Sequence, residues 1–268
     1  MRTMILKSIA LITISLVFSL AAAAADNAAP DVETIVKKAN QAAYYAGKDG
    51  RATVKMTITD AQKRTREREF TILRLDLEDG GRQNFYVYFK QPSDVKGMVF
   101  MVHKFIEKDD DRWLYLPALD LVKRIAASDK RTSFVGSDFF YEDVSGRSLD
   151  EDEHQLIETT ESHYVIENRP KDPKSVEFKS YRVWIDKDNF LPVKAEYKDR
   201  EGELYRRVEA LKIEDIKGYP TVVESRVENL ASGGFTISQF SRVDYDINLK
   251  GNLFTERYLR RPPRAAKR

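Results

Sequence analysis

The sequence predicts a mainly β protein of the α+β class: one large antiparallel sheet curved into a half-barrel, with an N-terminal helix and short helices over its concave face. Three observations carry this. The one long run with helical spacing comes first; many short segments with period-two alternation follow it; and Gly-, Asp- and Asn-rich turns separate those segments. A sheet of ten or more strands must curl, split or close, because its right-handed twist accumulates and each apolar face needs a cover.

The chain opens with Arg2 and Lys7, an apolar run from Ile9 to Leu20, and Ala23-Ala24-Ala25 before Asp26, which reads as a cleaved signal peptide over residues 1–25. Its apolar run of about a dozen residues is too short for the roughly 20 that a spanning helix needs. The mature chain is therefore expected to be exported. It has no cysteine, hence no disulfide, no thiolate metal site and no lipid attached through a cysteine.

Pro30 and Asp31 mark a helix start, and Val32, Ile35, Val36, Ala39, Ala42 and Ala43 recur at three- and four-residue spacing before Gly47 closes the segment. The apolar face is mostly alanine, which suits packing on a core better than lying on a membrane. Strands follow. Val54, Met56 and Ile58 share one face, as do Tyr181, Val183 and Ile185, and Phe235, Ile237, Val243, Tyr245 and Ile247 share one parity near the end. Turns fall at Asp79-Gly80-Gly81, Asp186-Lys187-Asp188-Asn189, Glu201-Gly202, Gly218-Tyr219-Pro220 and Gly233-Gly234. Phe85 through Phe89 and Met98 through Val102 are apolar on both parities, as expected where the outer face packs against a segment or the inner face lines a cavity. With no repeat and no linker, residues 26–256 read as one domain, followed by a basic tail over 257–268.

Without Arg2 and Lys7, 43 basic residues balance 43 acidic ones. Six of the basic residues, Arg257, Arg260, Arg261, Arg264, Lys267 and Arg268, form the tail, so the body is net negative and nucleic-acid binding is excluded as its role. The tail, punctuated by Pro262 and Pro263, reads as a solvated end, with contact to anionic headgroups or an acidic partner as the alternative.

Catalytic chemistry is poorly supported. His103, His154 and His163 show no metal spacing, no nucleophile elbow surrounds Ser137, and no phosphate-cradling glycine loop appears. Asp138, Glu142 and Asp143 crowd one segment and could bind Ca²⁺ or act as an acid and base. Their order does not match an EF-hand. A short helix or turn over Ser137–Val144, with Asp138 near its N-terminus and Phe139, Phe140 and Tyr141 turned inward, explains them better. No enzyme activity, cofactor or metal is expected.

The run Asp111-Arg112-Trp113-Leu114-Tyr115-Leu116-Pro117, then Lys123-Arg124-Ile125, then Ser133 through Asp143 resembles the signature of the LolA-like outer-membrane lipoprotein-sorting proteins. Leu191-Pro192-Val193-Lys194, Glu196-Tyr197, Gly218-Tyr219-Pro220, Phe254-Thr255 and Leu259 agree with it. The resemblance implies an unclosed, strongly curved barrel whose apolar concave side, lidded by helices, receives acyl chains. It also implies a periplasmic carrier of lipid or lipoprotein acyl chains between an inner-membrane transporter or exporter and an outer-membrane acceptor. The chain is longer than the best-known sorting carrier and has no alignable counterpart of its lid arginine, so no ligand contact is carried over. Met98, Phe100, Trp113, Tyr115, Phe134, Phe139, Phe140 and Trp184 are the candidate cavity wall and lid. The alternatives are a lipid or lipoprotein sensor of the RseB type that regulates a membrane partner, and a hydrolase using Asp138 or Glu142.

Overall fold

The computed structural model describes residues 30–267, so the leader read over residues 1–25 lies outside the described residues. Helix α1 (Val32–Tyr44) begins where Asp31 caps it, accepting from the Thr34 N–H at 2.8 Å and the Thr34 hydroxyl at 2.9 Å. Ile35, Val36 and Ala39 form its buried stripe.

Thirteen strands follow among the described residues: β1 (Asp49–Thr59), β2 (Thr65–Asp76), β3 (Gln83–Gln91), β4 (Val99–Lys104), β5 (Asp111–Leu116), β6 (Leu121–Ile125), β7 (Asp152–Thr159), β8 (His163–Pro170), β9 (Phe178–Asp186), β10 (Pro192–Asp199), β11 (Leu204–Ile216), β12 (Tyr219–Asn229) and β13 (Gly234–Tyr245). They form one antiparallel sheet in the order β6-β5-β4-β3-β2-β1-β13-β12-β11-β10-β9-β8-β7. The chain thus builds one arm outward from β1 to the β6 edge. It then crosses to the opposite edge and returns from β7 to β13, which pairs with β1 from Thr59↔Phe235 to Gly50↔Tyr245. Edges β6 and β7 do not pair, so the sheet is a half-barrel and not a closed barrel. Register shifts in several ladders, among them β1/β13 and β11/β12, supply the extra twist that curvature requires. Charged residues along both edges, Lys123 and Arg124 on β6 and Glu153 and Glu158 on β7, discourage pairing with another chain.

The β6–β7 crossing contains helix α2 (Tyr141–Ser145) and lies over the concave face of the first arm. Phe134 and Tyr141 pack there with Val54, Met56, Phe70, Phe85, Phe89 and Phe100. Phe134 is 2% exposed and meets the rings of Phe70, Phe89, Phe100 and Tyr141 at centroid distances of 5.5–6.2 Å, so it anchors the crossing. At the far arm, Ile35, Val36 and Ala39 of α1 pack with Tyr164, Ile166 and Ile185.

The convex face of the first arm has its own cover. Leu73, Tyr86, Val99, Met101 and Trp113 pack against Phe254, Leu259 and Ala266, the last two from helices α3 (Arg257–Arg260) and α4 (Arg264–Lys267). This is why β3 and β4 are apolar on both parities: one face looks into the groove and the other lies beneath the C-terminal segment. The solvated tail expected from its charge is corrected accordingly. Leu259 and Ala266 are 0% exposed while Arg257, Arg260, Arg261, Arg264 and Lys267 point outward. Leu259, Pro263 and Ala266, four and three residues apart, are buried, so one of the two prolines belongs to the docked face.

Candidate functional site

Two adjoining cavities, of about 340 and 310 Å³, lie between the concave face and its covers. The first is mostly apolar, walled by Val54, Met56, Phe70, Ile72, Phe85 and Phe240 from the strands and roofed by Ala42 and Ala43 of α1 and by Phe134 and Phe139 of the crossing. The second runs toward the other arm past Ile166, Val183, Ile185 and Val208 and carries the charged groups Arg147, Arg206, Glu142 and Asp143. Ala43, Tyr44, Phe139, Asp143, Val222 and Ser225 line both, so the two are lobes of one groove.

Each cover is fixed by buried polar chemistry. The last turn of α1 leaves carbonyls without helical partners. Arg74 of β2 donates to the carbonyls of Tyr44 and Ala46 and, at 2.8 Å, to that of Gly47; Gln83 of β3 donates to Tyr44 O at 2.7 Å and to Asp76 at 2.7 Å. Burial pushes the Asp76 carboxyl up to about 6, against the opposing pull of Arg74, 3.3 Å away. Tyr44 also packs over Gly146, where a Cβ would come within 2.7 Å of its ring. The two covers therefore meet at a position that only glycine can occupy, and its φ of +76° makes the same demand.

The crossing is held by ion pairs. Glu142, 2% exposed, lies 2.6 Å from Arg131 and 3.3 Å from both Lys130 and Arg147. Burial raises its carboxyl, but the three cations outweigh burial and hold it below the ordinary carboxylate range. Arg147 continues to Asp152 at 2.8 Å, Lys130 to Glu151 at 2.6 Å and Arg131 to Glu177 at 2.8 Å. Asp143 accepts from the Phe140 N–H at 2.7 Å, starting α2, and from Arg206 of β11 at 2.5 Å. Asp138 does not start the helix, as had been expected from its place in the sequence. It lies three residues too early and instead accepts from the Thr236 hydroxyl at 2.7 Å, tying the loop to β13. Burial of Tyr181 and Tyr197 raises both phenols, keeping them neutral.

The eight candidate wall and lid residues separate into three groups. Phe134 lines the first cavity and Phe139 both. Met98 and Phe100 are buried in the core beneath the crossing, and Phe140 is held between the guanidiniums of Arg131 and Arg206, 4.9 and 4.5 Å from its ring. Trp113 and Tyr115 lie on the convex face beneath the C-terminal segment; Trp184 alternates with Val183 and Ile185, away from the groove, under Lys194. Ser137 is a turn residue bonded to Phe134 O at 2.7 Å, and His103 contacts Phe254 O at 2.7 Å. Among the described residues no group of three or more His, Asp or Glu side chains is disposed to hold a metal ion.

Sequence reasoning missed the roof alanines and Arg206. The signal for the first was the alanine-rich face itself, since small side chains opposite bulky strands leave space. For Arg206 it was a charge on the same parity as Leu204, Val208 and Ala210, amid apolar neighbours on that face.

A lidded, predominantly apolar groove inside an unclosed antiparallel half-barrel defines the class of fold. Residues 81–261 match the model of a family described as "-like: Uncharacterized protein", and the chain belongs to that family. No curated protein matches the chain. Among solved structures it is similar to a DUF1329 family protein from Desulfovibrio piger, at 29% identity and TM-score 0.77, covering 86% of this chain and 100% of that one. It is equally similar to a domain from Vibrio parahaemolyticus provisionally named an outer membrane lipoprotein-sorting protein, at 29% identity and TM-score 0.77, covering 86% and 98%. A LolA superfamily protein from Nitrosomonas europaea shares the fold at 20% identity and TM-score 0.66, covering 86% and 100%.

Proposed function

We propose that this protein is a periplasmic carrier that takes a lipid or lipoprotein acyl chain from an inner-membrane transporter or exporter and delivers it toward the outer membrane. The observation that carries the reading is the two-lobed groove, apolar along its walls and roofed by two separately anchored covers. The name of the Vibrio relative and the leader-like sequence of residues 1–25 support the setting.

Burial contributes about 0.8 kcal/mol per methylene, so a sixteen-carbon chain gains on the order of 10 kcal/mol before the costs of ordering it and moving the covers. Such affinity needs no reacting group. The acids that suggested hydrolysis are engaged elsewhere: Glu142 by three cations, Asp138 by Thr236. Release requires an acceptor with greater net affinity, or a partner that favours the open form, because a ligand shifts an equilibrium only through differential binding.

Native mass spectrometry of protein purified from its own periplasm tests the reading, with a co-purifying acyl species as the expected result. Delipidated protein that takes up no acylated probe would overturn it.

A further inference from the structure

Resting on the carrier reading, we infer that the cargo is an anionic amphiphile whose head group is received by Arg206 in the second cavity while its tail occupies the first. The two lobes differ in chemistry. The first is walled mainly by aliphatic and aromatic side chains, and of the two arginines that border it, Arg51 and Arg74, the latter is committed to the end of α1. The second contains a cation with donors to spare.

Arg206 is 2% exposed and stands opposite Tyr197 of β10, which in turn stands opposite Tyr181 of β9. Its two faces are taken, by Phe140 at 4.5 Å and Tyr197 at 5.1 Å, so only the guanidinium edge is left for hydrogen bonding. Nη2 donates to Asp143; Nε and Nη1 meet no acceptor among the described residues. Nε and Nη1 together carry three of the five N–H donors of a guanidinium, and leaving them unmatched in a buried site is costly. Neighbouring charges do not fill the need. Arg147 is paired with Asp152 and Glu151, Glu142 is shared among three cations, and the Asp143 carboxylate is already divided between Arg206 and the Phe140 N–H. Lys194 and Glu209 border the same lobe from the parity that faces away from it: they are cross-strand neighbours, and Lys194 lies over Trp184 and bonds Glu196 at 2.7 Å. Both two-point edges of the guanidinium include Nη2, which Asp143 holds, so a carboxylate or phosphate oxygen is received singly, by one charge-assisted hydrogen bond from Nε or Nη1. The hydroxyls of Ser225, which borders both lobes, and of its cross-strand neighbour Ser238, whose Oγ is buried without a partner, lie along the path from head to tail.

The test uses delipidated mature protein and three sixteen-carbon probes: palmitate, hexadecyl phosphate and hexadecanol, titrated calorimetrically. The expected result is that one or both anions bind at least about tenfold more tightly than hexadecanol, the stronger of the two identifying the head group. Arg206→Met combined with Asp143→Asn, which removes the cation without stranding its acid, should abolish that preference and bring the three probes within about threefold of one another. Because the wild-type comparison needs no variant, a misfolded double variant does not obscure the answer. Equal binding of all three probes to the wild type, as when water satisfies Arg206, overturns the head-group assignment and leaves the carrier standing. Binding of none overturns the carrier itself.

Discussion

Replacing Glu142 with Gln isolates what holds the crossing segment down. Gln keeps the size and one carbonyl acceptor but removes the charge that Arg131, Lys130 and Arg147 share at 2.6, 3.3 and 3.3 Å. Breaking a buried ion pair by deleting one partner costs about 3–5 kcal/mol. Here each cation retains a second acid, Glu177, Glu151 or Asp152, so the expected loss is at the lower end, about 3 kcal/mol. With a urea slope of about 3 kcal/mol per molar, the midpoint should fall by about 1 M at pH 7. The pH dependence has a definite sign. The folded-state carboxyl titrates below its usual 4.5, so its contribution is present above that value and is lost as pH falls through the lower folded value. The gap between wild type and Glu142→Gln should therefore be constant from pH 8 to 5 and close as pH drops below 4.5. A midpoint difference under about 0.2 M at pH 7, or one that stays constant down to pH 3, would refute the argument that this carboxylate pins the crossing.

Three other outcomes are expected. Ala43→Phe places a ring where both lobes meet on an α1 position exposed to the groove, so acyl-probe uptake should fall at least about tenfold while the urea midpoint stays within about 0.3 M; unchanged uptake would mean that the groove is not the binding site. Asp76, raised from 3.8 to about 6 chiefly by burial, contributes stability that is present below pH 3.8 and lost as pH rises through 6. Asp76→Asn should therefore gain on wild type between pH 4 and 7 in urea titrations, and a flat difference would count against a buried carboxyl there. Leu259→Ala should cost about 2–4 kcal/mol by thermal or urea unfolding, since Leu259 is 0% exposed against Trp113 and its neighbours; a loss under about 0.5 kcal/mol is what a solvated tail would give.

The architecture was largely legible because period-two alternation is a local property. Val54, Met56 and Ile58 declare their face in the sequence and keep it in the structure, and turn residues mark the hairpins. What local pattern does not carry is which cover lies over which face. Trp113 and Trp184 looked like cavity aromatics by composition, yet both occupy the parity opposite to groove-facing neighbours, Leu114 in one case and Val183 and Ile185 in the other. Parity alone would have separated them. The docking of the tail and the pairing of Asp143 with Arg206, 63 residues apart, are long-range choices with no local signature. The alanines of α1 are visible in the sequence as weak hydrophobes, but their importance is the volume they leave empty, which only the opposing strands define.

Both covers act as straps between the two arms of a sheet that does not close. Helix α1 packs its first turns on β8 and β9 and is fastened at its last turn to β2 and β3 through Arg74 and Gln83. The crossing buries Phe134 against β2, β3 and β4 and is fastened to β11 through Asp143 and Arg206. Spreading the arms must therefore break a polar fastening at opposite ends of the two straps, while lifting one strap breaks only one. Phe139 and Tyr44, where the straps meet over the groove, are the residues that a chain entering between them displaces first. Since the fastenings are ion pairs and charge-assisted hydrogen bonds and the groove walls are apolar, burial of the tail and opening draw on different interactions, and only the proposed head-group contact at Arg206 touches a fastening. A partner that releases the α1 fastening at Arg74 and Gln83 leaves burial of the tail unweakened, which is what the proposed carrier, holding tightly and still releasing, requires.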